Sequence, residues 1–147
     1  MTDDRGHAEA RDRALTLLAR REHSCDELRR KLAQKGFSPT AAAVVAELER
    51  AGLVSDQRYA EALVRSRRQR GYGPVKIQQE LRAKGVAADL AEVAVDPGAP
   101  EWAELLCEVW NKKFGGRKPR DYREWARQAR FLEGRGFNAE QIRRVVG

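Results

Sequence analysis

The sequence predicts an all-α protein: three tandem three-helix repeats stacked into an elongated, curved rod. Three observations predict it. Apolar residues recur at helical spacing in short runs, with almost no period-two strand signal. Gly36, Gly85 and Gly136 lie 49 and 51 residues apart, and each follows a leucine by four positions, at Leu32, Leu81 and Leu132. Their neighbours agree, since Lys35-Gly36-Phe37, Lys84-Gly85-Val86 and Arg135-Gly136-Phe137 each give a basic residue, the glycine, then an apolar residue suited to closing a helix end. This is an internal triplication. Finally, 147 residues with 41% hydrophobic and 35% charged side chains, against about 25% charged in an average soluble protein, leave little material for one thick core. Each three-helix unit is small, so end-to-end stacking is the expected way to cover its apolar surface.

The elements follow in order. Residues 1–10 read as a flexible N-terminal tail, and the three repeats as 11–52, 53–96 and 97–147. Ala14, Leu15, Leu17 and Leu18 carry the first helix; Ser24-Cys25-Asp26-Glu27 reads as a capping box opening a second, which buries Leu28 and Leu32 and stops at Gly36. Ser38 with Pro39 predicts an N-cap and first-turn proline for a third helix over Val44, Val45 and Leu48, ending near Gly52. Ser55 or Asp56 caps a fourth, through Tyr59, Ala60, Leu63 and Val64 to Gly71. Gly73-Pro74 starts a fifth, which buries Ile77 and Leu81, and a short sixth covers Leu90 and Val93. Asp96-Pro97-Gly98-Ala99-Pro100 reads as a joint. Trp102, Leu105, Leu106, Val109 and Trp110 form a seventh helix closed by Gly115-Gly116. An eighth begins near Pro119 with Tyr122, Trp125, Ala126, Ala129 and Leu132 on one face. Asn138 with Gln141 caps a ninth over Ile142, Val145 and Val146. The third unit departs from the pattern at Gln128, which stands where the others have Leu28 and Ile77.

Charge is distributed in blocks. Lys and Arg total 29 against 22 Asp and Glu, a net +7. Residues 1–62 are balanced, whereas 63–84 hold Arg65, Arg67, Arg68, Arg70, Lys76, Arg82 and Lys84 against Glu80 alone. Residues 85–111 carry Asp89, Glu92, Asp96, Glu101, Glu104 and Glu108 and no base. Residues 112–130 then carry Lys112, Lys113, Arg117, Lys118, Arg120, Arg123, Arg127 and Arg130 against Asp121 and Glu124. Solvated helix faces account for part of this. Two arginine-rich blocks separated by an acidic one nevertheless favour two binding stretches for a polyanion or an acidic protein surface.

The sequence offers no catalytic constellation. His7 falls in or beside the tail and His23 just before the capping box, with no nucleophile–base spacing, no glycine-rich phosphate loop and no HExxH or CxxC. Cys25 and Cys107 stand alone and are expected to be reduced, mostly buried packing residues, so no metal site, cofactor or disulfide is predicted. Carboxylates are assigned to caps and surface pairs, and Trp102, Trp110 and Trp125 to the core rather than to base stacking. No apolar run reaches the 18 or so residues of a membrane span, and Met1 to Gly6 lack a signal core. A soluble, cytoplasmic, non-enzymatic protein is expected.

Gly52-Leu53-Val54-Ser55-Asp56-Gln57-Arg58-Tyr59-Ala60, then Arg68-Gln69-Arg70-Gly71-Tyr72-Gly73-Pro74-Val75-Lys76-Ile77, then Glu80-Leu81-Arg82-Ala83-Lys84-Gly85-Val86 together resemble the signature of the bacterial RecX family. The ending Arg130-Phe131-Leu132-Glu133-Gly134-Arg135-Gly136-Phe137 does so too. The resemblance runs from about Ala14 to the C-terminus and is looser from Lys112 to Tyr122. It implies a modulator of the RecA recombinase that binds the RecA filament on single-stranded DNA, lies along its groove, and restrains ATP hydrolysis, strand exchange and repressor cleavage. Partners implied are that nucleoprotein filament and single-stranded DNA, with double-stranded DNA left open, and a monomeric state is expected.

The candidate contact residues are Arg65, Arg67, Arg68, Arg70, Lys76, Arg82 and Lys84 on the middle unit, and Lys112, Lys113, Arg117, Lys118, Arg120 and Arg123 as a second patch. Tyr72 joins them as an exposed aromatic contact, with a tucked loop anchor as the equal alternative. The sequence does not separate contacts to RecA from contacts to phosphate. A competing reading is a direct DNA-binding protein in which helix 74–84 enters a groove in helix-turn-helix fashion. Against it, the three units share no common set of outward residues at Lys76, Gln79, Glu80 and Arg82. A purely structural adaptor without a DNA role is a third.

Overall fold

The computed structural model describes residues 4–147 and, among them, contains nine α-helices and no strand. They are α1 (Asp4–Arg20), α2 (Cys25–Leu32), α3 (Ser38–Arg50), α4 (Asp56–Gln69), α5 (Pro74–Ala83), α6 (Ala88–Ala94), α7 (Pro100–Phe114), α8 (Tyr122–Gly134) and α9 (Ala139–Val146). None of them is long and apolar enough to cross a membrane.

Each successive triplet closes its own core. Leu28, Leu32, Val44 and Leu48 fill the first with Ala10, Ala14 and Val54. Tyr59, Ala60, Ile77, Leu81, Val86 and Val95 fill the second, with Trp102 reaching back from α7. Leu106, Trp110, Leu132, Phe137, Ile142 and Val146 fill the third. Leu105 touches both of the last two. The molecule exposes 9326 Å², whereas a single sphere-like domain of 16.6 kDa exposes about 7,600 Å². The excess is what three small cores in series produce.

Local chemistry explains the helix ends. The Ser24, Ser55 and Asp121 side chains accept from the backbone N–H groups of Glu27, Arg58 and Glu124. Asn138 and Gln141 form a complete reciprocal capping box. At Ser24 only half of the box forms, because the Glu27 carboxylate turns to Arg21 instead (2.7 Å). Gly36, Gly85 and Gly136 all adopt left-handed φ angles (93°, 81° and 102°), the conformation that the triplicated motif demands.

Three expectations are corrected. The segment 4–10 is the first part of α1, not a tail: Ala10 is fully buried and His7 meets Glu47 at 2.8 Å, so packing on α3 holds it; residues 1–3 lie outside the described residues. Ser38 is not an N-cap: its backbone is already helical, and α2 passes to α3 through a tight turn, Ala33–Phe37, bent at Gly36. Val93 and Tyr122 point outward, because Ala91 in α6 with Val95 just after it, and Ala129 and Leu132 in α8, supply the buried faces. Cys25 and Cys107 are both partly buried, and Cys25 packs against the first core.

The units meet by a repeated joint. The glycine that ends the second helix of one unit abuts the start of the second helix of the unit before it. At the first joint the Ser24 hydroxyl donates to the Lys84 carbonyl (2.7 Å), and a Cβ on Gly85 would lie 2.5 Å from Asp26 Cβ. At the second, the Gly73 and Val75 N–H groups donate to the Arg135 and Gly136 carbonyls (2.6 and 2.9 Å), and a Cβ on Gly136 would lie 2.5 Å from Lys76 Cβ. Gly36, the equivalent glycine of the first unit, faces open space. The first joint is otherwise polar, with Cys25 N–H on the Asp56 carboxylate (2.8 Å) and Lys84 Nζ 3.6 Å from Glu27. The second adds the apolar contact of Trp102 and Leu105.

Candidate nucleic-acid interface

The second joint brings the two basic blocks together. Arg68 and Arg70 at the end of α4 face Lys112 and Lys113 at the end of α7 across a cleft of ≈ 490 Å³. Leu105, Val109 and Phe131 line its apolar part, and Glu108 is its only acid. Arg135, from the turn after α8, joins them, and its guanidinium donates to the Arg70 carbonyl (3.1 Å). Aromatic rings hold the cations in place: Arg68 lies 5.5 Å from the Trp102 ring centre, while Lys113 and Arg135 lie 5.1 and 5.4 Å from that of Phe131. The helix carbonyl ends at Gln69 and Phe114 add negative potential that favours cations there.

A second basic recess, ≈ 780 Å³, opens between the end of α7 and α8, lined by Lys113, Arg117, Lys118, Arg120 and Arg127. Its floor explains the anomalous Gln128. The Trp110 indole N–H is buried and donates to the Gln128 side-chain oxygen (2.9 Å), and the Gln128 amide donates to the Arg117 carbonyl (3.0 Å). A leucine here would leave a buried indole N–H unsatisfied. Polar Gln128 therefore ties the basic loop to α8.

The remaining candidates are placed differently. Arg67 grips Glu80 in a two-pronged ion pair (2.6 and 2.8 Å), and this bond holds the Glu80 carboxyl below the usual carboxylate range. Lys84 faces Glu27. Arg65, Arg82 and Arg123 are exposed and line neither hollow. Arg120 is exposed but pairs with Glu124 (2.8 Å). Tyr72 is half-buried, not exposed: its ring lies 4.6 Å from Lys76 Nζ and 5.5 Å from the Arg135 guanidinium, so it anchors the joint. Lys76 in turn reaches the Gly134 carbonyl (3.4 Å). Sequence reasoning missed Arg135 as a cleft residue because its Arg-Gly-Phe setting read as a helix end; the signal was its recurrence beside the triplicated glycine.

The first joint holds the most perturbed titrating groups. Burial is the largest influence on Glu27 and pushes its carboxyl up, but the Arg21 hydrogen bonds and the charges of Arg21, His23 and Lys84 together outweigh it and hold the group at about 2. His23 is buried, with Nδ1 on the Arg21 carbonyl (3.0 Å) and Nε2 facing Lys31 Nζ (3.0 Å); desolvation holds its pKa below the ordinary value. Arg21 ties these groups together, donating to the Glu27 carboxylate while its carbonyl faces His23 Nδ1. Among the described residues no three His, Cys, Asp or Glu side chains are placed to share a metal ion.

Comparison with known proteins agrees with this architecture unit by unit. The models of the first, second and third three-helix domains of RecX match residues 10–48, 55–95 and 100–146. A protein called regulatory protein RecX from Halorhodospira halophila is 46% identical over 134 residues, 90% of this chain and 83% of that one. One of the same name from Chromohalobacter salexigens is 45% identical over 140 residues, 95% of this chain and 91% of its own. The crystal structure of RecX from Lactobacillus salivarius superposes with a TM-score of 0.80 at 20% identity, covering 96% of this chain and 94% of that one, a likeness of fold.

Proposed function

The chain belongs to the RecX family, and from that premise we propose that it binds the filament formed by RecA on single-stranded DNA and restrains its ATP hydrolysis, strand exchange and repressor cleavage. The observation that carries this reading is the cleft at the second joint, where Arg68, Arg70, Lys112, Lys113 and Arg135 converge from two units. Arginine forks and flexible lysines over an apolar floor suit phosphates with unstacked bases beside them. Three units in series extend the contact beyond one cleft. Each weak contact becomes effectively intramolecular once its neighbour is made, so a chain bridging successive RecA protomers gains avidity without any single strong site. Such a bridge opposes the rearrangement that accompanies hydrolysis and occupies space that an incoming duplex needs. No catalytic group is required. The protein works in this reading as a cytoplasmic monomer, with double-stranded DNA a secondary ligand.

The joints weigh against a groove-reading helix. A recognition helix presents its N-terminal residues to base edges, yet the N-termini of α2 and α5 are covered by the Gly85 and Gly136 turns of the next unit. The test is RecA ATPase on single-stranded DNA as the protein is titrated from substoichiometric to equimolar amounts, beside an Arg68→Glu/Arg70→Glu variant. The wild type is expected to slow hydrolysis and the variant to lose most of that effect. An unchanged rate with wild type, together with tight binding to bare DNA, transfers the function to direct DNA binding.

A further inference from the structure

The groove between α4 and α6 differs in chemistry from everything around the cleft. Its walls are Gln57, Ala60 and Glu61 from α4 and Asp89, Leu90, Val93 and Ala94 from α6, around ≈ 490 Å³. Val93 stands at its edge 85% exposed, the most exposed large apolar side chain among the described residues. Glu61, Asp89 and the adjacent Glu92 make no ion pair with any described residue, although the chain carries a net positive charge. Elsewhere Glu22, Glu27, Glu47, Glu80, Glu124 and Glu140 are paired, while exposed acids such as Glu101, Glu104 and Glu133 are not, so it is the exposed Val93 beside the carboxylates that sets this groove apart.

The groove and the basic cleft lie along one helix. On α4, Glu61, Arg65 and Arg68 follow at spacings of four and three and so share a face. Glu61 to Arg68 spans only about 10 Å of helix. Potential along this face therefore changes sign within a distance comparable to the Debye length of about 8–10 Å. A DNA strand seated on Arg68 and Arg70 is repelled from the Glu61–Asp89 end. Glu61 accepts from the Gln57 amide (3.3 Å) and Asp89 from the Leu90 N–H (2.9 Å), but neither has a cationic partner, and such a pair beside an exposed valine suits a ligand that is cationic and apolar together.

We propose that the α4/α6 groove is a protein-docking surface for a basic segment of the filament's protein component, one that carries a large apolar side chain flanked by lysine or arginine, and that it works beside the DNA-binding cleft on the same face. This rests on the filament-binding reading above and divides the labour within it: the cleft takes phosphate, and the groove takes the protein that already coats the strand. Complementary charge supplies orientation, and burial of the apolar anchor against Leu90 and Val93 supplies most of the affinity.

Two full-length variants test it, Val93→Ser, which leaves charge unchanged, and Glu61→Lys/Asp89→Lys. Binding is measured to RecA filaments assembled on labelled single-stranded DNA and to the same DNA bare, with thermal melting as a check on folding. Both variants are expected to weaken filament binding by about tenfold, while Val93→Ser binds bare DNA as the wild type does and the charge reversal binds it no more weakly. Wild-type filament affinity in both variants overturns the groove proposal and leaves the filament reading standing. A wild type that binds filaments no better than bare DNA overturns the filament reading, and the groove proposal with it.

Discussion

Glu27 and His23 are the residues at which the first joint is most exposed to pH. The Glu27 carboxyl lies at about 2 in the folded chain against an ordinary 4.5, so its contribution to stability is complete above about pH 4.5 and fades as pH falls toward 2. His23 also has a lowered folded pKa, from an ordinary 6.5. Its contribution is therefore complete above about 6.5 and is lost as pH falls below that, because protonation must charge a buried ring beside Lys31. Both effects have the same sign. The melting temperature should fall between pH 7.5 and 5.5, and His23→Gln, which keeps a hydrogen-bonding side chain without the titration, should flatten the profile in that window. A wild-type profile that is flat across the window rules out a buried neutral His23. In the core the magnitude is set by volume: Leu81→Ala removes a fully buried side chain and should lower the urea-derived unfolding free energy by about 2–5 kcal/mol.

Helices and their ends were legible in the sequence because their signals are local. Pro74 in the first turn, Ser55 and Asn138 as caps, and the three left-handed glycines each act within a few residues of chain. The joints were not legible, since nothing local says that Gly85 and Gly136, already explained as helix ends, also leave room for another unit's backbone. Outward-facing Val93 and Tyr122 were misread for a related reason: apolar spacing predicts which face is buried only when the neighbouring helix is in place. Glycine substitutions separate the two roles. Gly36→Ala meets nothing within 4 Å and bears only the strain of its positive φ, about 1–2 kcal/mol. Gly136→Ala bears similar strain and in addition drives a methyl into Lys76 Cβ and the Gly73 carbonyl. It should therefore cost about 1–3 kcal/mol more in urea unfolding and weaken single-stranded DNA binding, while Gly36→Ala leaves that binding unchanged. Equal effects of the two on DNA would mean that the second joint does not assemble the cleft.

At the scale of the whole molecule, charge that is diffuse in the sequence becomes local through folding. Both basic blocks were visible as runs of Arg and Lys, but the run does not say which members are spent inside the chain. Arg67 is consumed by Glu80 and Lys84 faces Glu27, whereas Arg68, Arg70, Lys112 and Lys113 meet in one cleft contributed by two units. The difference is measurable as a salt slope. Each cation that neutralises a phosphate of single-stranded DNA releases counterions and adds about 0.7 to the slope of log affinity against log salt concentration. In the proposed reading each of the two side chains neutralises its own phosphate, so Arg68→Ala and Lys112→Ala should each reduce that slope by about 0.7, and the pair by about twice that. Arg30→Ala removes the same charge from α2, in a unit that contributes nothing to the cleft. It should lower affinity slightly through net charge alone and leave the slope within error of wild type. A slope reduced equally by all three would mean that the protein meets DNA through its overall positive field, and the cleft would then have to be assigned to acids on the partner.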